Sequence, residues 1–116
     1  MSSKILIVTG RSKIVEQVRN TLPKDERRLV VHVEHRREAE NKLESRFDRY
    51  DILILDSHKG TRATEDFIVN VKQRFDNFNG QIVLLGSSTP GRADLTFDLR
   101  TEEGKDGFKS YLAGIK

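Results

Sequence analysis

The 116-residue sequence contains no cysteine. That excludes a disulfide framework, a thiolate nucleophile and sulfur ligation of zinc, and it suits a reducing, cytoplasmic setting. Long hydrophobic runs are also missing. Ile52-Leu53-Ile54-Leu55 is typical of the apolar stretches, against the roughly 20 residues that a membrane-spanning helix needs. Met1-Ser2-Ser3-Lys4 passes at once into a strand-like run, with no apolar segment of signal-peptide length. Charge of one sign is scarce too: 21 Lys and Arg oppose 18 Asp and Glu, for a net charge of +3. The basic residues are scattered and mostly sit beside acids, as in Arg36-Arg37-Glu38 and Lys42-Leu43-Glu44. A nucleic-acid groove concentrates its cations and interleaves aromatics, so this pattern argues against one and reads as a solvated mixed-charge surface. There is no repeat, low-complexity tract or linker, and residues 1–116 are expected to form one domain.

What is present is an alternation of two periodicities. Ile5-Leu6-Ile7-Val8 is a continuous apolar run that ends at Thr9-Gly10, the pattern of a strand buried on both faces. Ile14, Val15, Val18 and Leu22 then recur at helical spacing, with Ser12 as the expected N-cap and Pro23 as the stop. Leu29–Val33 predicts a second strand, and Ala39, Leu43 and Phe47 a second helix with a narrow apolar stripe. Ile52–Leu55 is the third strand. Phe67, Ile68, Val71 and Phe75 mark a third helix, with Thr64 as its expected cap and Glu65 and Asp66 suited to the positive end of its dipole. Gln81–Leu85 is the fourth strand, followed by Gly86-Ser87-Ser88-Thr89-Pro90. Leu95, Phe97 and Leu99 alternate with polar residues, as on an edge strand, and Phe108, Tyr111, Leu112 and Ile115 form a last helical stripe. Between Pro90 and Ala93 there is almost no room for a helix, so a loop or single turn is expected there. Such an alternation implies a parallel sheet covered on both faces, with right-handed crossovers.

Ligands of such sheets gather at the carboxyl ends of the strands. Here that edge carries Thr9-Gly10-Arg11, Asp56-Ser57-His58-Lys59, Gly86-Ser87-Ser88 and Arg100-Thr101, with Glu34-His35-Arg36 expected further out. Asp56 flanked by Arg11, Lys59 and Arg100 reads either as an ion pair that orders the loop or as part of an edge attractive to a small anion, with Arg11 and Lys59 as the anion contacts. His32 and His35 sit three apart on an extended segment and face opposite sides, which argues against a shared zinc ion. The Thr9–Ser12 turn has neither a phosphate-loop nor a dinucleotide-binding spacing, and no nucleophile elbow occurs.

Five β–α units in this length, with a carboxylate closing the third strand in Tyr50-Asp51-Ile52-Leu53-Ile54-Leu55-Asp56, resemble the receiver domain of two-component response regulators. The resemblance runs from Lys4 to about Ile115. It implies an α/β, flavodoxin-like, doubly wound five-stranded parallel sheet of order 2-1-3-4-5, here with the fourth helix shortened or replaced by a loop. It also implies that Asp56 stands at the phosphoacceptor position. Working members hold Mg²⁺ with two adjacent acids after strand one, and those positions carry Thr9 and Gly10. The hydroxyl residue that ends strand four aligns with Gly86, with Ser87 next, and the lysine that ends strand five aligns with Arg100. The departures make the chain similar to a degenerate receiver, a pseudo-receiver: no enzyme, no cofactor, and an Asp56 that is not charged with phosphoryl. The family's interface on the strand-five side implies Phe97, Phe108 and Tyr111 as contacts for a protein partner, another domain of the same parent chain, or a second copy. A phosphorylatable receiver with an atypical metal site, and a small anion- or nucleotide-binding domain of the same fold, remain open as alternatives.

Overall fold

The computed structural model describes residues 4–22, 30–44, 49–56, 61–74, 80–86 and 93–114. The elements run β1 (Ile5–Val8), α1 (Ser12–Thr21), β2 (Val30–Val33), α2 (Arg36–Glu44), β3 (Ile52–Asp56), α3 (Thr61–Arg74), β4 (Gln81–Leu85), β5 (Leu95–Phe97) and α4 (Glu102–Ala113). All four strand pairings are parallel, in the order β2-β1-β3-β4-β5. The expected doubly wound sheet is therefore present. Among the described residues no helix lies between β4 and β5, and residues 87–92, where a loop or turn was expected, fall outside the described segments.

The period-2 geometry of the strands divides the core in two. Ile5, Ile7, Ile52, Ile54, Val83 and Leu85 pack on one face beneath α1 and α4, which contribute Ile14, Val15, Val18, Phe108 and Leu112. Leu6, Val8, Leu53, Leu55, Ile82 and Leu84 pack on the other beneath α2 and α3, which contribute Ala39, Phe67, Ile68 and Val71. Continuous apolar runs in β1, β3 and β4 are thus required, because both faces are covered.

Three local expectations need correction. The N-cap of α1 is Arg11, not Ser12, which is the first helical residue. The Thr9 hydroxyl accepts from the Arg11 amide, and Ile14 N–H donates to Arg11 C=O, so the turn closes one residue early. Helix α3 already begins at Thr61, so Thr64 is interior rather than a cap. Phe108 is completely buried, packed with Phe97 at a ring separation of 5.8 Å, and belongs to the core instead of an interface.

The edge strand β5 is short, and its three residues are all half-buried. One side chain and two backbone bonds tie it down. At its start the Asp94 carboxylate accepts from Ile82 N–H at 2.8 Å while Asp94 N–H donates to Ile82 C=O at 2.9 Å; at its end Gly86 N–H donates to Phe97 C=O at 3.0 Å. Helix α4 then docks against the strand's end. Thr101 caps it by accepting from Gly104 N–H at 2.9 Å. A Cβ on Gly104 would fall 1.8 Å from Asp98 C=O, and one on Gly107 would meet the Phe97 ring at 3.1 Å. Glycine here serves close approach. Gly104→Ala should destabilise the fold by about 1–3 kcal/mol through overpacking, although alanine is the better helix former. Glu103→Ala, at an exposed neighbouring site, should cost less, and urea unfolding of the two variants checks the contrast.

Candidate functional site

The site follows from strand register. Val8 of β1 pairs with Leu55 of β3, so one step further along the sheet Thr9 comes beside Asp56, both on the face that α1 covers. The Thr9 hydroxyl donates to Asp56 Oδ2 at 2.6 Å. Arg11, at the start of α1, folds back and closes a two-pronged pair: Nε donates to Oδ2 and Nη2 to Oδ1, each at 2.7 Å. The Asp56 side chain is only 3% exposed, the Arg11 side chain 42%. A carboxylate so enclosed must be neutralised or hydrogen-bonded, and a guanidinium fork matches both of its oxygens.

Thr9 is itself buried, and each of its polar groups has a partner. Its hydroxyl donates to Asp56 and accepts from Arg11 N–H, and its amide donates to Val33 C=O at 3.1 Å. Its carbonyl lies 2.8 Å from His32 Nε2, which therefore carries the proton. The network joins β1, β2, β3 and α1 at one edge of the sheet. Among the described residues no buried side-chain nitrogen or oxygen lacks a partner.

Beside the pair opens a cleft of about 340 Å³, lined by Val8, Thr9, Gly10, Arg11, Glu34, His35, Arg36 and Asp56. The loop after β2, expected further out, thus shares the site with Arg11 and Asp56, because α2 begins directly at Arg36 and turns that loop back over the end of β1. Arg100 does not reach Asp56. It lies past the end of β5, is 74% exposed, and pairs with Asp98 through Nε at 3.2 Å. Hydrogen bonds from the Arg100 side chain, then from its amide, hold the Asp98 carboxyl below the ordinary carboxylate value. Gly86 lies at the end of β4, where the strand alignment placed it. Lys59 and Ser87 fall outside the described residues. Phe97 and Tyr111 are half-buried with rings 5.8 Å apart, and the Tyr111 hydroxyl donates to Gln81 Oε1 at 2.5 Å. Burial, and then the Asp94 charge, raise the Tyr111 pKa.

Magnesium prefers an octahedron of oxygens at about 2.1 Å, usually with carboxylates among them. Here both Asp56 oxygens are engaged by a guanidinium, Thr9 offers a hydroxyl that already donates its proton, and Gly10 offers no side chain. Among the described residues no group of three His, Cys, Asp or Glu is placed to hold a metal. The donor set does not fit a divalent cation, and a metal entering there would first have to displace the Arg11 cation.

No family model and no curated protein matches the chain. Solved structures do. The phosphorylated cyanobacterial phytochrome response regulator RcpA superposes with a TM-score of 0.71 over 98% of this chain and 91% of that one, at 16% identity. A response regulator from Thermotoga maritima gives 0.66 over 98% and 100%, at 14% identity. The signal receiver domain of a signal transduction histidine kinase from Syntrophus aciditrophicus gives 0.66 over 97% and 90%, at 20% identity. The fold is that of a receiver domain. At such identities the likeness is one of architecture, and the receiver fold here carries an arginine–aspartate pair at the end of its third strand.

Two outcomes test this geometry. Arg11→Met leaves an enclosed carboxylate without its cation and should destabilise the protein by about 1–3 kcal/mol, discounted for the exposure of Arg11; chemical unfolding measures it, and Asp56→Asn should lose less because the guanidinium it leaves unpaired is 42% exposed and can be hydrated. Arg100→Gln should move the Asp98 carboxyl upward in an NMR titration, towards but not fully to its ordinary value, because the backbone amide of residue 100 still donates to it. The folded-state value is depressed, so the contribution of that pair is present above the ordinary carboxylate pKa and is lost as pH falls through the depressed one. Signals of Thr9 and Arg11 should not move in the Arg100 variant.

Proposed function

We propose that the chain is a pseudo-receiver: a signalling module that binds a protein partner, or another domain of its parent chain, without phosphorylation of Asp56. The observation that carries this reading is the closed Arg11–Asp56 pair, with both carboxylate oxygens engaged at 2.7 Å. Phosphoryl transfer to a carboxylate brings two anions together and relies on metal ions to neutralise the developing charge. A fixed guanidinium neutralises Asp56 in advance and also covers the oxygens that an incoming phosphoryl group would need. On this reading the chain performs no catalysis and holds no resident cofactor. The absence of cysteine supports a cytoplasmic location, and no described helix is long and apolar enough to cross a membrane.

Partner contact falls on the strand-five side, where β5 is the sheet edge and Phe97 and Tyr111 remain partly accessible, or on the carboxyl edge around Arg11. A second copy of the chain pairing along β5 is one form such contact can take. The decisive experiment treats the protein with beryllofluoride and Mg²⁺, and separately with acetyl phosphate and Mg²⁺. Intact mass and amide NMR signals near Asp56 should stay unchanged. A phosphoryl adduct, or saturable shifts that disappear in Asp56→Asn, would instead make the chain a phosphorylatable receiver with an atypical metal site.

A further inference from the structure

We propose that helix α2 is a hinged cover that opens as a unit. It lifts from the sheet about the Glu34-His35 connection, while the five strands and helices α1, α3 and α4 stay folded. The inference goes beyond the pseudo-receiver reading and does not depend on it, because no part of it involves the state of Asp56.

The helices are anchored unequally. Helix α1 buries Ile14, Val15 and Val18, α3 buries Phe67, Ile68 and Val71, and α4 buries Phe108 and Leu112. Among the described residues of α2 the one buried side chain is Ala39, a single methyl group. Leu43 is half-buried and packs against the same core. Burial free energy scales with the apolar area removed from water, so this helix gains least from its sheet. Its nine residues are also too few to hold a helix in water without such packing. The end charges add no help. Arg36 and Arg37 stand at the amino end and Glu44 at the carboxyl end, each against the helix dipole, with Glu38 and Lys42 offsetting them in part. One hydrogen bond fastens α2 to its neighbour, from Asn70 Nδ2 of α3 to Glu40 Oε1 at 3.1 Å.

The motion has a defined boundary. Strand β2 stays in place because bonds beyond its ladder tie its end to β1. Thr9 N–H donates to Val33 C=O at 3.1 Å, and His32 Nε2 donates to Thr9 C=O at 2.8 Å. The two residues that follow, Glu34 and His35, are both exposed. Ala39 N–H then donates to His35 C=O at 3.2 Å as the helix begins. Lifting α2 bares Val31 and Val33 of the core on that face. It also takes away the cleft wall formed by Glu34, His35 and Arg36. Asp56 keeps its bonds to Thr9 and Arg11, because neither residue lies on α2.

The test is native-state amide hydrogen exchange of the whole chain, followed by NMR at several urea concentrations below the unfolding transition. The amides of Glu40, Asn41, Lys42 and Leu43 should share one opening. It should be about a hundredfold more frequent than the opening that exposes Leu53 in β3, and only weakly dependent on urea, since it uncovers little surface. The Thr9 amide should stay protected with the sheet. Ile14→Val, on the opposite face of the sheet, weakens the global fold and should speed exchange at Leu53 about fivefold. It should leave the four α2 amides unchanged, because Ile14 stays packed while α2 is open. Asn70→Ala removes the bond to Glu40 and should speed the α2 amides about fivefold. Asn41→Ala, at an exposed site, raises helix propensity and should slow them about threefold. Exchange of the four amides only through global unfolding, or an equal response to Ile14→Val at Leu53 and in α2, would overturn the proposal. So would opening of the α3 amides together with those of α2, or four unrelated rates, the mark of simple fraying.

Discussion

A carboxylate withdrawn from water at the end of a central strand needs a counter-charge, and the architecture of this edge follows from how that need is met. Asp56 is held by Arg11, Thr9 orients the carboxylate from the neighbouring strand, and His32 secures the Thr9 carbonyl from the strand beyond. Desolvating an unpaired ion costs several kcal/mol, more than any one of these hydrogen bonds returns, so the members stand or fall together. The pairing also sets where α1 begins. The residue that supplies the guanidinium is the helix cap, and its amide is already bonded to Thr9.

The receiver fold brings the ends of β1 and β3 side by side, and what stands there decides the chemistry available. Acids after β1 would leave a pocket of negative charge that calls for a mobile cation. In this chain the cation is covalently part of the protein and cannot exchange with solvent. The Asp56 carboxylate is satisfied by groups of the chain itself, Thr9 and Arg11.

Much of this was legible in the sequence, for definite reasons. The runs Ile5–Val8, Ile52–Leu55 and Gln81–Leu85 are apolar without alternation because helices cover both faces, and that is enough to read a parallel sheet. Asp56 was recognisable because it closes such a run. The role of Thr9 was hidden because it depends on strand register: only the pairing of Val8 with Leu55 places the threonine beside the aspartate. Arg100 was misplaced because Asp98, two residues before it, is a nearer partner, and local ion pairs carry no long-range signal in sequence. Phe108 is an apolar residue on a helical stripe, and the stripe faces inward. Glu34, His35 and Arg36 were expected further out than they lie because their position depends on how tightly β2 turns into α2.

The two hydrogen bonds between Asp94 and Ile82 have a further consequence for the sheet border. A three-residue outer strand offers little resistance to sliding past its neighbour. With a side-chain oxygen bound to one end of the ladder and the Gly86 amide to the other, a slip by one residue would break both anchors at once. The outermost strand therefore behaves as a fixed rail, and a molecule docking alongside it would meet one unvarying sequence of outward-facing groups.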